Sequence, residues 1–435
     1  MSRNRQIWAI AGPAIIANSS APLVGLVDTW AIGHLPGAAY LAAVGVGATV
    51  FSYMFWAFGF MRMSTTGLVA QAHGRGDNTE LLRIVMRSLI LASLIAFGLI
   101  ALQSLLFSAS LAALVPPEAV AGFYADYFHI RIWSAPAVLF TYGVTGYLIG
   151  TARARAALVL QLVLNITNGG LNLLFVIGLK MGVPGIALGS LIAEWTAAII
   201  GIVMLFSHFG AAQLRRTLLD ATLWRIKSFA GLAQTNGFIF VRTLLLMTAL
   251  TLVTRKAGMI SETALAASHI MTVFMLLISL GLDAFAYSVE ALAGAAYGKD
   301  ARDDFKQWVA LTSRWALLAA VFYSVAFYLF GDNVIAGLTN VASVRQAALE
   351  VLPVLVLLPI ASVACYQFDG IFIGTTAASA MMITMALSFV VFIVVVEPLT
   401  DAMGLKGLWL AVIIFSGCRG LTQWVYYPFI LKKLA

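Results

Sequence analysis

The chain has 435 residues, of which 62% are hydrophobic and only 10% are charged, and its mean hydropathy is +0.97. A soluble domain carries about 25% charged residues because its surface faces water, so this composition excludes a soluble globular protein. A net charge of +8 could suggest a nucleic-acid partner. Here the charge follows membrane topology, and we expect no nucleic-acid partner.

Twelve apolar stretches are long enough to cross a bilayer, which takes about 20 mostly apolar residues. In chain order they lie near 8–32, 40–71, 84–108, 120–149, 156–179, 183–208, 225–253, 263–293, 308–330, 346–373, 377–397 and 404–431. Continuous apolar runs are common and the alternating pattern of a β-barrel is absent. The sequence therefore predicts an all-α polytopic membrane protein with twelve transmembrane helices.

The loops between these stretches differ in charge. Counted alternately from the N-terminus, one side carries seventeen lysines and arginines and the other side carries five. Basic loops stay in the cytoplasm, so we expect both termini in the cytoplasm and the chain in the inner (plasma) membrane of a prokaryote. Two basic tracts, Arg75–Arg87 and Lys299–Arg314, are predicted to be cytoplasmic loops.

The sequence repeats itself at a nearly constant offset. The matches are Gly150-Thr151 with Gly374-Thr375 at 224 positions, Gly182 with Gly404 at 222, and Ala11-Gly12 with Ala230-Gly231 at 219. Collinear matches of this kind indicate a duplication. We predict an N-terminal six-helix lobe at 1–210, a cytoplasmic linker at 211–223 and a C-terminal six-helix lobe at 224–435, with a cavity between two pseudo-symmetric lobes.

Asp28 is the main candidate for ion coupling. It lies in an apolar segment, 23–32, with no basic residue nearby in sequence. Burial in such a segment favours the neutral carboxyl, so Asp28 could take up and release a proton. The alternatives are an aspartate at the outer end of a helix, or one neutralised by a distant arginine.

Three further features accompany Asp28 in the N-terminal lobe. Pro13 could be a hinge in helix 1, or an ordinary proline at a helix start. Asn168 and Asn172 are four residues apart and share a helix face. With Ser190 they could complete a polar network around Asp28, or they could only join helices to each other.

Other charged residues fall in or near the spans, and as a group they favour a hydrated cavity. Singly, each could equally be a structural pair or a side chain reaching the interface. The acidic and basic members are Arg62, Arg131, Glu194, Arg242, Asp283, Glu290, Asp369 and Arg419. The arginines do not obviously cluster in the sequence.

No segment has the pattern of a phosphate loop, a metal-ligand cluster or a nucleophilic triad. The two cysteines, Cys365 and Cys418, fall in predicted spans and are interpreted as small apolar residues. We therefore predict neither an enzyme nor a protein with a cofactor. Transport would then be driven by an ion gradient of H⁺ or Na⁺.

Four passages resemble the DinF-type branch of the MATE family of multidrug and toxin extrusion transporters. They are PLVGLVDT at 22–29, LAAVGVGAT at 41–49, RMSTTGLVAQ at 62–71 and LDAFAYSVEA at 282–291. The resemblance implies two six-helix lobes that form a V-shaped cavity. It also implies antiport of cationic or amphipathic drugs against H⁺ or Na⁺ by a protein in contact with membrane lipid, and we expect a monomer.

The resemblance also implies roles for single residues. Asp28 corresponds to the coupling aspartate, Pro13 to the bending proline of helix 1, and Asn168 to the helix 5 asparagine. Ser190 stands where relatives commonly carry threonine. Where relatives often have a second aspartate, this chain has Asn172, which cannot supply charge. We therefore expect H⁺ coupling, with Na⁺ bound at most weakly at Asp28 and Asn168.

Three alternatives stand against this interpretation. A flippase for lipids or lipid-linked oligosaccharides, from the same superfamily, would need cavity cations for a pyrophosphate group. An intramembrane enzyme would need converging catalytic groups, which five scattered histidines do not supply. A receptor or channel does not explain duplicated lobes, which suit alternating access.

Overall fold

The structure is a computed structural model whose described backbone covers residues 2–33 and 37–434. Within the first two helices, the side chains at 21, 23, 24, 26–29, 31, 32 and 38 lie outside the described part. The described ranges are almost entirely helical and contain no strand.

Ten helices lie in the first half of the chain: α1 (Arg3–Gly33), α2 (Ala38–Ala57), α3 (Phe60–Gly74), α4 (Asn78–Ala101), α5 (Gln103–Leu114), α6 (Glu118–Arg131), α7 (Ala135–Gly150), α8 (Ala154–Leu173), α9 (Gly182–Phe209) and α10 (Ala211–Leu219). Six follow in the second half: α11 (Ile226–Ile260), α12 (Glu262–Gly298), α13 (Arg302–Leu338), α14 (Ala342–Leu355), α15 (Leu358–Gly374) and α16 (Ala378–Leu431).

These helices account for the expected membrane crossings. Among the described residues, nine helical stretches are long and apolar enough to span a bilayer, and the bent pair of α14 and α15 makes a tenth. Helix α16 has 54 residues and is interrupted at Gly404, whose φ is 57° and whose ψ is −136°. It therefore contains two spans. The nine stretches, the bent pair, the second span of α16 and helix α1 make up the twelve crossings. The predicted all-α polytopic membrane fold is confirmed.

Two of the expected spans are broken next to a proline. A 3₁₀ turn, Ile132–Ser134, separates α6 from α7, and α15 is bent by 58° from α14. Helices α7 and α15 each carry a proline in their first two positions. Because proline has no N–H to donate, it is tolerated at a helix start but interrupts a helix that would otherwise run through it.

Most of each basic tract is helical, so the prediction that the tracts are loops was wrong beyond their first three residues. Helix α4 begins at Asn78 and α13 begins at Arg302. Asp77 caps α4 by accepting a hydrogen bond from the backbone N–H of Glu80 at 2.9 Å. The first turn of α13 carries two aspartates, which the positive end of a helix stabilises.

The duplication is visible in the helix packing. A Cβ atom added at Gly146 of α7 would lie 2.8 Å from the carbonyl oxygen of Arg62 on α3. The same atom added at Gly370 of α15 would lie 2.6 Å from the carbonyl oxygen of Ala286 on α12. Gly146 and Gly370 are 224 positions apart, and so are Arg62 and Ala286. The two lobes therefore contain equivalent helix crossings, at which glycine allows the helices to approach closely.

The chain separates into two compact units. One comprises Pro13–Leu232, and the other comprises Met1–Gly12 together with Ala233–Ala435. The first unit has an apolar core that includes Tyr147, and the second has one that includes Phe274 and Trp409. The chain passes between the units within α1 and within α11, not within the segment 211–223.

Candidate functional site

Helix α1 carries Asp28, the main candidate from the sequence, but the Asp28 side chain lies outside the described residues. The backbone of α1 is helical from Arg3 onward, and both Pro13 and Pro22 lie inside it. Pro13 is therefore not a helix-start proline, and that alternative was wrong. Pro22, which the sequence reasoning did not use, lies six residues before Asp28.

One face of α8 carries a stripe of side-chain amides. Its members, Gln161, Asn165, Asn168 and Asn172, recur at spacings of four, three and four, which keeps them on one side of a helix. Nε2 of Gln161 donates to Oδ1 of Asn165 at 3.1 Å, and Nδ2 of Asn172 donates to Oδ1 of Asn168 at 3.1 Å. The stripe thus consists of two hydrogen-bonded amide pairs.

Each amide pair also binds a neighbouring helix. Nδ2 of Asn165 donates to the hydroxyl of Ser20 on α1 at 2.6 Å. Nδ2 of Asn168 donates to the hydroxyl of Ser190 on α9 at 2.9 Å. The amide stripe therefore connects the helix of Asp28 to two others in the same unit.

The structure brings together three of the predicted residues, namely Asn168, Asn172 and Ser190. It adds Ser20, Asn165 and Gln161, which the sequence reasoning missed. The spacing of four, three and four along α8 was the signal that could have revealed Asn165 and Gln161. Apolar helices rarely carry four amides on one face. Ser20 gave no such signal, because a single serine in a helix is unremarkable in sequence.

Asn172 occupies a fully buried position. A Cβ atom added at Gly189 of α9 would overlap Oδ1 of Asn172 and would lie 3.1 Å from Cγ of Asn172. Directly after α8 the chain forms one π-helical turn, Leu174–Gly178. Such turns occur frequently at functional sites, and this one adjoins the end of the stripe.

Glu194 forms an ion pair with Arg131. The two side chains are 15% and 12% exposed, and Nη2 of Arg131 lies 3.1 Å from Oε1 of Glu194. Arg131 also donates to the hydroxyl of Ser134, and its guanidinium lies 5.5 Å from the centre of the Phe55 ring. This carboxylate is satisfied by a neighbouring cation, as in a structural pair.

A second charged cluster lies in the C-terminal lobe. Asp369 of α15 accepts hydrogen bonds from Arg242 of α11, from Arg419 of α16 at 2.8 Å and from Gln423 at 2.7 Å. All three donors are buried. The two arginines, which do not cluster in the sequence, therefore converge on one carboxylate.

The remaining candidates lie on α3 and α12. The carbonyl groups of Arg62 and Glu290 face Gly146 and Gly374 at the two equivalent helix crossings. Asp283 lies half-buried on α12. Within the described part of the chain, no group of three or more His, Cys, Asp or Glu residues could hold a metal ion.

The sequence matches a family model named MatE over residues 13–174 and 239–399. It is 37% identical over 423 residues to DNA damage-inducible protein F of Escherichia coli, covering 97% of this chain and 91% of the relative. It is 24% identical over 425 residues to a probable multidrug resistance protein NorM of Bacillus cereus, covering 94% of this chain and 92% of that one.

Solved structures share the fold. A MATE protein in the bent conformation has a TM-score of 0.86 and 18% identity, covering 99% of this chain and 96% of its own. The Vibrio cholerae MATE transporter VcmN in the bent form has a TM-score of 0.84 and 20% identity, covering 99% and 97%. At these identities the likeness concerns the fold.

Proposed function

The chain belongs to the MatE family, and we propose that it is a secondary active multidrug efflux transporter that exports cationic or amphipathic compounds by antiport. As a member of this family it is a membrane transporter. The finer proposal is that protons drive it, through protonation of Asp28 and bending of helix α1. Its similarity to a multidrug resistance protein supports the substrate class.

The observation that carries this proposal is the hydrogen-bonded amide stripe on α8. It binds α1 through Ser20 and α9 through Ser190, within 3 Å in both cases. Ser20 precedes Asp28 by eight residues, which is about 12 Å along a helix. A change in the charge of Asp28 that tilts α1 would therefore strain the hydrogen bond between Ser20 and Asn165.

The chemistry of the stripe favours a proton over Na⁺. Its described members are neutral amides and hydroxyls, and Asn172 is the position where a second carboxylate would add charge. A hard cation loses its water only when several oxygen ligands, preferably charged ones, replace it. A proton needs one carboxylate whose neutral form is favoured by burial.

The bending of α1 is supported by its two internal prolines. Each proline removes one backbone hydrogen bond from the helix and weakens it locally. Protonation of Asp28 would remove the charge that attracts a cationic substrate. We propose that α1 then bends at Pro13 or Pro22 and the substrate leaves.

The test is transport of a fluorescent organic cation by purified protein in liposomes. We expect exchange in sodium-free buffer when a proton gradient is imposed, and none when only a sodium gradient is imposed. Exchange that requires the sodium gradient would overturn the choice of ion. A lack of exchange under both gradients would overturn antiport of such compounds.

A lipid-linked oligosaccharide flippase is the alternative, and the convergence of Arg242 and Arg419 is the observation that favours it. Both guanidinium groups already bind Asp369, which reduces their capacity for a pyrophosphate group. Transfer of a fluorescent lipid-linked sugar across liposome membranes, in place of cation flux, would support the flippase.

We further propose that the protein functions as a monomer in the inner membrane of a prokaryote, with both termini in the cytoplasm. The distribution of basic loops supports this orientation. Labelling of a single cysteine placed near either terminus by a membrane-impermeant reagent would test it. We expect labelling only after the cells are lysed.

A further inference from the structure

The segment that connects α9 to α11 exposes apolar and basic side chains together. Helix α9 ends at Phe209 and α11 begins at Ile226, and both helices are long and apolar enough to span a bilayer. Residues 210–227, the connecting segment, therefore run from the end of one span to the start of the next. Because both ends lie at the membrane surface, the side chains between them lie near the lipid headgroups.

Helix α10, within the connecting segment, has one buried side and one exposed side. Leu214 and Thr217 are buried. Arg215 and Leu219 are four residues apart, so they lie together on the other side of the helix, and Leu219 is 76% exposed. A short helix that exposes a large apolar side chain beside an arginine is typical of a helix that lies in the membrane interface.

Other exposed apolar side chains of the connecting segment adjoin the end of α10. Nε1 of Trp224 donates to the carbonyl of Leu218 at 2.9 Å, and the half-exposed Trp224 ring stacks on Phe229 with ring centres 6.5 Å apart. Ile226 is 85% exposed. Contact of such side chains with water is unfavourable, and tryptophan is enriched at the boundary between lipid and water.

The connecting segment also carries four exposed cations. They are Arg215, Arg216, Arg225 and Lys227. The ion pairs formed by the described residues include none of these four. The one acidic residue in the segment is Asp220, and Nη2 of Arg83 lies 2.7 Å from its Oδ2. Hydrogen bonds from Thr222 and Arg83 hold the pKa of Asp220 at about 2, so Asp220 stays paired with Arg83 at neutral pH.

Helix α4 holds the middle of the connecting segment in place. Nε of Arg87 donates to the carbonyl of Leu223 at 3.1 Å, and its Nη2 donates to the carbonyl of Thr222 at 2.9 Å. Arg87 and Leu223 are both buried. The exposed residues on either side of this attachment are therefore presented on a fixed support, which reduces the loss of conformational freedom when a ligand binds.

We propose that the connecting segment is a docking surface for anionic phospholipids of the leaflet that it adjoins. Its apolar side chains enter the boundary between headgroups and acyl chains, and its four cations bind the lipid phosphates. A loop whose charges only fixed the orientation of the chain would not need exposed apolar side chains between them. A soluble acidic protein would match the charges, but it would not explain apolar residues in a segment that begins and ends at the membrane surface.

The charges are tested by melting the purified protein in neutral detergent while phosphatidylglycerol is added, with phosphatidylcholine as the uncharged lipid. A lipid that binds only the folded protein raises its melting temperature. We expect phosphatidylglycerol to raise it more than phosphatidylcholine does. The test variant combines four substitutions: Arg215→Gln, Arg216→Gln, Arg225→Gln and Lys227→Gln. It should need at least about tenfold more phosphatidylglycerol for the same rise.

The matched control removes three arginines and one lysine from exposed positions in the two basic tracts. Its substitutions are Arg75→Gln, Arg302→Gln, Lys306→Gln and Arg314→Gln. The control should respond to phosphatidylglycerol like wild type, and all three proteins should melt together without lipid. An equal loss of response in the control would show diffuse attraction to every basic loop and overturn the docking surface. Equal stabilisation by inorganic phosphate would overturn a lipid as the ligand.

The apolar contact is tested with an environment-sensitive fluorophore at Leu219→Cys, in a background that carries Cys365→Ala and Cys418→Ala. The liposomes contain phosphatidylglycerol and a phosphatidylcholine with a nitroxide near its headgroup. We expect the nitroxide to quench this label severalfold more than a label at Lys299→Cys, an exposed position in the turn after α12. Equal quenching of the two labels would place Leu219 in water, where a soluble partner could reach it, and would overturn the docking surface.

Neither measurement depends on transport. The proposed docking surface therefore stands or falls separately from the proposed function, and a failure of efflux in liposomes leaves both lipid tests unchanged.

Discussion

Nδ2 of Asn165 lies 2.6 Å from Oγ of Ser20 and donates a hydrogen bond that joins α8 to α1 across 145 residues of sequence. Ser20 in turn donates to the carbonyl of Ala17 at 2.7 Å, within α1. Asn165 is buried. Any tilt of α1 at this level must therefore break or move a partly buried hydrogen bond.

Ser20→Ala should destabilise the protein and slow transport. The change leaves a buried amide donor without its acceptor, which costs about 1–3 kcal/mol. Thermal unfolding in detergent and transport in liposomes would measure both effects. Ser93→Ala is the control, because the hydroxyl of Ser93 donates to the carbonyl of Leu89 within its own helix. Equal behaviour of the two variants would show that the Ser20 hydrogen bond has no role.

Asp28→Asn should abolish gradient-driven efflux while expression and folding remain normal. The amide keeps the shape of the carboxyl group but cannot exchange a proton. The measurement is the drug resistance of cells that carry the variant, compared with the amount of the variant protein in their membranes. The exposed Asp332→Asn serves as the control. Full resistance with Asp28→Asn would rule out Asp28 as the coupling residue.

Asn172→Asp should increase the sensitivity of transport to Na⁺. The change adds a carboxylate to the buried end of the stripe, beside Asn168, and so offers a cation a charged ligand. Transport at fixed pH with and without a sodium gradient is the measurement. Asn165→Asp adds the same charge two turns away and should give a smaller effect. An equal response of the two variants to Na⁺ would show that the position of the added carboxylate does not matter.

Gly146→Ala and Gly370→Ala should each lower the free energy of unfolding by about 1–3 kcal/mol, because the methyl group overfills a helix crossing. The added Cβ would lie under 3 Å from a carbonyl oxygen in both cases. Gly98→Ala, where no atom is within 4 Å, should be neutral or slightly stabilising. Thermal unfolding in detergent compares the three. Unchanged stability at Gly146 or Gly370 would contradict the close crossing.

Asp369→Asn should destabilise the C-terminal lobe by about 3–5 kcal/mol, since it leaves two buried arginines without their shared counter-charge. The Asp369 side chain is 15% exposed, whereas Glu397, which pairs with Lys256, is 58% exposed. Glu397→Gln should therefore change stability by less than about 1 kcal/mol. A normally folded Asp369→Asn variant that has lost only transport would instead assign Asp369 to the transport site.

Much of this architecture is determined by sequence alone. Hydropathy and periodicity are properties of a contiguous window, so the twelve crossings and the duplication can be identified without a structure. The equivalent crossings at Gly146 and Gly370 follow the same 224-residue offset as the aligned sequence. The spacing of the α8 amides also placed Asn168 and Asn172 on one face.

What only the tertiary structure decided is which helices meet and at which height and rotation. The hydrogen bond from Asn165 to Ser20, and the convergence of Arg242 and Arg419 on Asp369, join residues far apart in the chain. The attachment of Arg3 to Asp304 likewise assigns the start of α1 to the C-terminal unit. Apolar helices all satisfy the bilayer equally well at many rotations, so packing between side chains selects the pairs, and a one-dimensional pattern contains no information about that choice.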